Sequence, residues 1–409
     1  MKRLRIIHLA NHHSENIGNG ALISGTERVL REDLNGDLTF VPELWADYTA
    51  LEGKRFGEAF VEQVNREADA LLVGAAVTLD GRVKYRHTGM RFDLPLHLWP
   101  RLEKPIIFYA ISHRHWPLQT YHHADRLAET LRYIESRPDI LFSVRNDGTK
   151  EWLERLLGFA SEKVVAIPDP ALYVPTREAW HPELGEGGLN VVMSLSNEDP
   201  VYRYGGKLQR LAWKSFPGKD QGLLTRLWRH FPEVKLRRRW YLMRLAQALA
   251  AVAREQETNL ILCPHSSDDL AIMEEFIHRL PARMAMYRVA CAGLLPASRA
   301  AYFYDLYRQA DLALSMRIHS MSPALGLGTP VITLDSETRM TQFMKNVGLG
   351  DFALNIFEAD LTKKVQQLIS YILSHRKEMR QKIQKIGADM RKQTRAFNQN
   401  VASLLNVAG

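Results

Sequence analysis

Leu312-Ala313-Leu314-Ser315-Met316-Arg317-Ile318-His319-Ser320, continued by the small-residue run Met321 to Gly328 and by Pro330-Val331-Ile332-Thr333-Leu334, reads as strand, turn, helix, strand. The first and last runs are short, uncharged and apolar, as buried strands are, and Gly328 and Pro330 close the helix between them. A unit of this kind belongs to a parallel sheet covered by helices. Met316 to His319 then lies at a strand's carboxyl end and at a helix N-terminus, where backbone N–H groups and the helix dipole favour an anion. Arg317 supplies a planar fork that matches carboxylate or phosphate, and His319 a side chain able to move protons near neutral pH. Arg339 follows the end of the next strand, which in a parallel sheet brings it near His319.

The same alternation extends outward in both directions. Towards the N-terminus, strand-like runs at Leu189 to Leu195, Asn259 to Cys263 and Ala285 to Val289 complete one α/β unit. A polar stretch, Pro175 to Gly188, carries Pro182, Gly185, Gly187 and Gly188 and reads as a linker. Before it, Arg5 to Leu9, Ala70 to Gly74, Pro105 to Ile111, Ile140 to Val144 and Val164 to Ile167 form a second series. The expected organisation is therefore an N-terminal domain over 1–180, a C-terminal domain over 189–375 and a terminal helix over 376–409 that packs back across them. A chain of 409 residues, 46% of them hydrophobic, has material for two cores. Ligands of such units sit at the carboxyl ends of the strands, so the site is expected between the domains.

The first half repeats the logic of the opening stretch. Phe142-Ser143-Val144-Arg145-Asn146-Asp147-Gly148-Thr149 runs from strand to polar turn to a helix at Lys150 to Leu157, which places Arg145 at a strand's carboxyl end. Asn16-Ile17-Gly18-Asn19-Gly20-Ala21 puts two asparagines and two glycines between the first strand and a helix, as close backbone approach requires. Its spacing is not G-x-G-x-x-G, so no dinucleotide fingerprint is present. Asn16, Gly18 and Asn19 are candidate acceptor contacts, as are His113 and His115, which flank Arg114 after an apolar strand. No metal-binding spacing occurs, and the adjacent pairs His12-His13 and His122-His123 do not converge on one ion, so no metal is expected.

Net charge is +8, which favours an anionic substrate, polymer or surface. Twelve Lys/Arg against two Asp/Glu fall between Tyr202 and Arg244, interleaved with Trp213, Phe216, Trp228 and Trp240. This basic aromatic insertion suits anionic headgroups or a sugar chain, or simply a solvated face; no nucleic-acid-binding signature accompanies it. Cys263 and Cys291 lie in apolar runs and are expected to be buried free thiols. The Met1-Lys2-Arg3 start is interrupted by Arg5 and His8 and does not read as a signal peptide, so the chain is expected in the cytoplasm, at most peripheral on the inner face of the membrane.

Asn16 to Leu22, Ser143 to Thr149, Asp169-Pro170-Ala171-Leu172, Ser315 to His319 and Gly328 to Ile332 occur in this order over nearly the whole chain, and together they resemble the polysaccharide pyruvyl transferase family. The resemblance implies two Rossmann-like domains facing across a cleft, in the manner of GT-B glycosyltransferases. It implies transfer of pyruvate from phosphoenolpyruvate to two hydroxyls of a sugar or lipid-linked oligosaccharide as a ketal, in cell-surface polysaccharide biosynthesis. No cofactor beyond the donor itself is implied. Arg145, Arg317 and Arg339 match positions that hold the donor in similar enzymes, and His319 matches the expected general acid. Glu15, Asp147 and Asp169 are candidate bases. Two rival readings use the same residues differently: a GT-B glycosyltransferase that clamps a nucleotide-sugar diphosphate, and a non-enzymatic module that binds anionic glycans or membranes.

Overall fold

A computed structural model describes residues 2–48, 56–81, 83–116, 119–206, 232–336 and 338–407. The strands of the first half are β1 (Lys2–Ala10), β2 (Gly36–Leu44), β3 (Ala70–Val73), β4 (Val77–Asp80), β5 (Ile106–Arg114), β6 (Ile140–Arg145) and β7 (Val164–Ile167). They form one sheet in the order β2-β1-β3-β5-β6-β7 with β4 beside β5, and every pairing is parallel. Helices α1 (Ile17–Asp33), α2 (Glu58–Glu67), α3 (Ala124–Glu135) and α4 (Thr149–Leu157) connect them. Because successive side chains of a strand point to opposite faces, Ile6 and Ile7 of β1 enter two different cores. Burial on both faces is why these strands read as unbroken apolar runs.

The second half begins with β8 (Leu189–Ser194), α5 (Pro200–Tyr204), α6 (Pro232–Glu255), β9 (Thr258–Leu262), α7 (Asp268–Ile277), α8 (Ala282–Tyr287) and β10 (Val289–Cys291). It continues with α9 (Ala300–Gln309), β11 (Leu312–Ser315), α10 (Ile318–Gly326), β12 (Val331–Asp335), α11 (Thr338–Asn346), β13 (Ala353–Asn355), α12 (Leu361–Ser374) and α13 (Arg376–Leu404). Its six parallel strands take the order β10-β9-β8-β11-β12-β13, the doubly wound arrangement whose reversal lies between β8 and β11. Arg317 follows β11 at that reversal.

Helix α1 joins the halves. Its first N–H, at Ile17, donates to the carbonyl of His265 at 3.1 Å, and a single buried cluster runs from Leu4 and Leu72 through Ile17 and Leu22 to Phe303 and Met321. Glycine is required where it approaches the second half. A Cβ on Gly20 would collide with the carbonyl of Ala297, and one on Gly18 would lie 2.7 Å from the Cβ of His319. At the other end of the chain, α13 returns to the first half, where Arg391 grips Asp33 at 2.6 and 2.7 Å and Asn398 accepts from the Tyr109 hydroxyl at 2.9 Å.

Three local expectations differ from the structure. The run Ala285 to Val289 is divided between α8 and β10, and Met286 and Tyr287 are exposed; four apolar residues around Arg288 do not distinguish a helix end from a strand. Cys263 is buried, but Cys291 on the edge strand β10 is exposed. Of the basic aromatic insertion, residues 207–231 lie outside the described residues, and the rest belongs to α5 and α6.

Candidate active site

The carboxyl ends of the two sheets enclose a cavity of about 530 Å³. From the first half, Asn11, Glu15, Asn16, Asn19, Arg114 and Arg145 line it, and from the second Glu198, Arg203, His265, Arg317, His319 and Arg339. Helices α1, α7, α10 and α11 all begin at this wall, so their dipoles add positive potential to the arginines.

Arg145 ends β6 and is 1% exposed. Its Nε stands 3.4 Å from Asp169 Oδ2, and Nη1 donates to His319 Nε2 at 3.2 Å. Arg145 Nε and Nη2, Arg317 Nε and His265 Nδ1 are buried with no hydrogen-bond partner among the described residues. Orphaned donors of this kind are rare in protein interiors, and here three guanidinium N–H groups lie beside one cavity. Asp169 is held by its own turn, accepting from the Ala171 N–H at 2.8 Å; burial pushes its carboxyl up, opposed by Arg145.

Arg317 is the N-cap residue of α10. Nη2 donates to Asp269 at 2.6 Å and to Ser266 at 3.0 Å, while Nη1 reaches Glu198 at 3.3 Å. Glu198 also accepts from Arg114 at 2.5 Å, so one carboxylate links cations from opposite halves. Arg339 is buried and donates to the His113 carbonyl of the first half at 2.8 Å.

His319 follows in the first turn of α10, its carbonyl accepting from the Tyr304 hydroxyl at 2.6 Å. A guanidinium only donates, so the contact with Arg145 requires Nε2 to be unprotonated. Nδ1 lies against Gly18, which any side chain would push away. Burial, followed by the charges of Arg145, His265, Arg339 and Arg317, holds the imidazole well below the usual histidine range. The contact and the burial both favour the neutral ring.

The structure brings Arg145, Arg317, Arg339, His319, Asn16 and Asn19 to one cavity, with Gly18 directly behind His319. Asn16 caps α1, accepting from the Gly18 N–H at 2.9 Å, and Asn19 donates to Ser14 at 2.8 Å. His113 and His115 do not join the lining. His113 stacks on Trp152 at 4.7 Å and meets Thr149 at 2.9 Å, and His115 accepts from the Trp152 indole at 3.0 Å. Arg114 between them faces the cleft instead, as strand alternation dictates. A bulge at Ala110, where φ is +47°, redirects this end of β5 towards β4. Among the candidate bases, Asp147 is occupied by Ser112 at 2.6 Å and Thr149 at 2.5 Å, whereas Glu15 lines the cavity.

Sequence reading passed over His265, Glu198 and Arg203. His265 follows β9 as Arg317 follows β11, so the same argument from strand ends would have found it. Its imidazole is also held well below the usual range, by burial first and then by Arg317. Arg203 was absorbed into the basic insertion; it donates to the Glu198 carbonyl at 3.2 Å and to Ser336 at 2.7 Å.

Comparison with solved structures places the fold. Trehalose-6-phosphate synthase aligns over 98% of this chain and 99% of its own, with a TM-score of 0.53 at 8% identity. The N-terminal domain of trehalose-6-phosphate phosphatase from Candida albicans aligns over 99% and 97%, with a TM-score of 0.51 at 13% identity. At such identities the likeness is one of fold alone, two Rossmann-like domains in a GT-B-like arrangement. No curated protein matches the chain in sequence. The family model for polysaccharide pyruvyl transferase matches residues 16–338, from the cap of α1 to the start of α11, and the chain belongs to that family of transferases.

Proposed function

We propose that this chain transfers pyruvate from phosphoenolpyruvate to two hydroxyls of one sugar, as a ketal, in the synthesis of a cell-surface polysaccharide. The observation that carries the reading is the convergence of Arg145 with Arg317, Arg339 and His319 from the opposite half, with buried N–H groups of Arg145 and Arg317 still to be satisfied. A donor carrying both carboxylate and phosphate, with up to three negative charges, suits such a set.

In this reading the donor's anionic groups bond to the arginines and displace Glu198 from Arg317. Their charge lets His319 Nε2 take up a proton, which it then gives to the donor's methylene carbon to form a methyl group. The adjacent carbon becomes electron-poor and is attacked by a sugar hydroxyl; phosphate leaves, and a second hydroxyl closes the ketal. Of the two hydroxyl protons, one balances the proton spent on the methyl group and the other departs with phosphate. Proton transfer by a positioned histidine contributes about 10²–10⁴ in rate, and the fixed guanidinium groups stabilise the shifting charge without reorganising.

The test is the product. With donor labelled at its methylene carbon and a panel of glycosides bearing neighbouring hydroxyls, the expected outcome is a ketal methyl signal and one phosphate per ketal. Turnover of a nucleotide sugar, with phosphoenolpyruvate untouched across the panel, would replace this reading with a glycosyltransferase.

A further inference from the structure

We infer that the outward face of α6 docks on an anionic lipid bilayer. The helix turns Val234, Tyr241, Leu242, Leu245 and Leu249 into the core. On the other side Leu236, Trp240 and Met243, spaced i, i+4, i+7, are 63%, 36% and 43% exposed. With Phe357 they line a groove of about 530 Å³. Soluble proteins seldom leave such a stripe in water without a use.

The rim of the groove selects the occupant. Lys235 and Arg239 are exposed beside the stripe, Arg237 stacks 4.1 Å from the Phe357 ring and Arg244 3.9 Å from that of Trp240. Arg237 donates to the Tyr204 carbonyl and Arg244 to the carbonyls of Glu358 and Ala359. Among the described residues no carboxylate pairs with Arg237, Arg239 or Arg244. Apolar side chains flanked by unneutralised cations are what a helix presents to a layer of anionic headgroups over acyl chains. No helix among the described residues is long and apolar enough to cross a membrane, so the contact is with the surface. The same helix reaches the cleft: Arg238 donates to Asn197, next to Glu198, at 3.0 Å. A bilayer held at α6 thus lies one loop from the site, within reach of a lipid-borne sugar.

The inference does not depend on the donor, and it is tested by sedimenting the full chain with vesicles of phosphatidylglycerol and phosphatidylcholine, or of phosphatidylcholine alone. The expected result is binding to the anionic vesicles that weakens with salt. Leu236→Glu/Trp240→Glu should weaken it at least about tenfold, and Lys235→Gln/Arg239→Gln about 25-fold, near fivefold per cation. All four positions are exposed or nearly so, and an unchanged thermal melt verifies the fold. Absence of binding to anionic vesicles, or binding that neither variant alters, overturns the proposal. So does a Leu236-dependent dimer that ignores both vesicles, which would assign the face to a second copy of the chain.

Discussion

Donor binding should be coupled to proton uptake at His319. Nε2 accepts from Arg145 at 3.2 Å, and burial together with four flanking cationic or imidazole groups favours the neutral ring. A negative charge brought to about 4 Å in a partly buried site is worth about 4 kcal/mol at an effective dielectric constant near 20, or about 3 pKa units. The donor's remaining charges also offset the arginines already present, so binding should raise the imidazole from its depressed value. Calorimetric titration with phosphoenolpyruvate at pH 7.5, repeated in buffers of different ionisation enthalpy, reads the protons directly. The expected result is net proton uptake on donor binding in the native chain, largely lost in His319→Gln, where the amide still accepts from Arg145 but does not titrate. Equal uptake in both proteins, or none in either, would refute the assignment of His319 as the group that carries the proton.

Other outcomes follow from the same geometry. His319→Ala should keep donor affinity within about tenfold while turnover falls at least about 10²-fold, as steady-state kinetics set beside a binding titration will show. Gly20→Ala forces a methyl group onto the Ala297 carbonyl and should cost about 1–3 kcal/mol, whereas Gly387→Ala in α13, where a Cβ meets nothing within 4 Å, should gain about 0.5–1 kcal/mol; thermal melts should move in opposite directions. His319 and His265 are both held below their unfolded value, so the unfolded chain binds more protons as pH falls through about 6.5, and stability should drop by up to about 1.4 kcal/mol per pH unit for each. Chemical denaturation at pH 7.5 and 5.5 measures it, and a flat profile would show that neither ring is buried neutral.

Much of this was readable from the chain alone. Buried parallel strands must be apolar on both faces, and each ends where polar residues resume, so Arg145, Arg317 and the strands carrying them announce themselves. Three other strands do not: β2 mixes charged, polar and apolar residues around Pro42, β4 has four residues, and β13 has three. The pairing of the two halves was equally hidden. Nothing in Ser196-Asn197-Glu198 or Cys263-Pro264-His265 reveals that Glu198 will bridge Arg114 and Arg317, or that the His265 carbonyl will receive the first N–H of α1. His113 and His115 misled because strand alternation, which depends on the bulge at Ala110, turns them towards Trp152 and leaves Arg114 in the cleft.

Equilibrium dialysis with labelled phosphoenolpyruvate tests the central claim most directly, comparing the native chain with Arg145→Met and Arg317→Met and adding a nucleotide sugar as competitor. The account predicts one saturable site per chain, lost on removing either arginine although the two belong to opposite halves, and indifferent to the nucleotide sugar. Absence of donor binding to a native chain that binds the nucleotide sugar, or donor binding that survives both substitutions in folded protein, would contradict it.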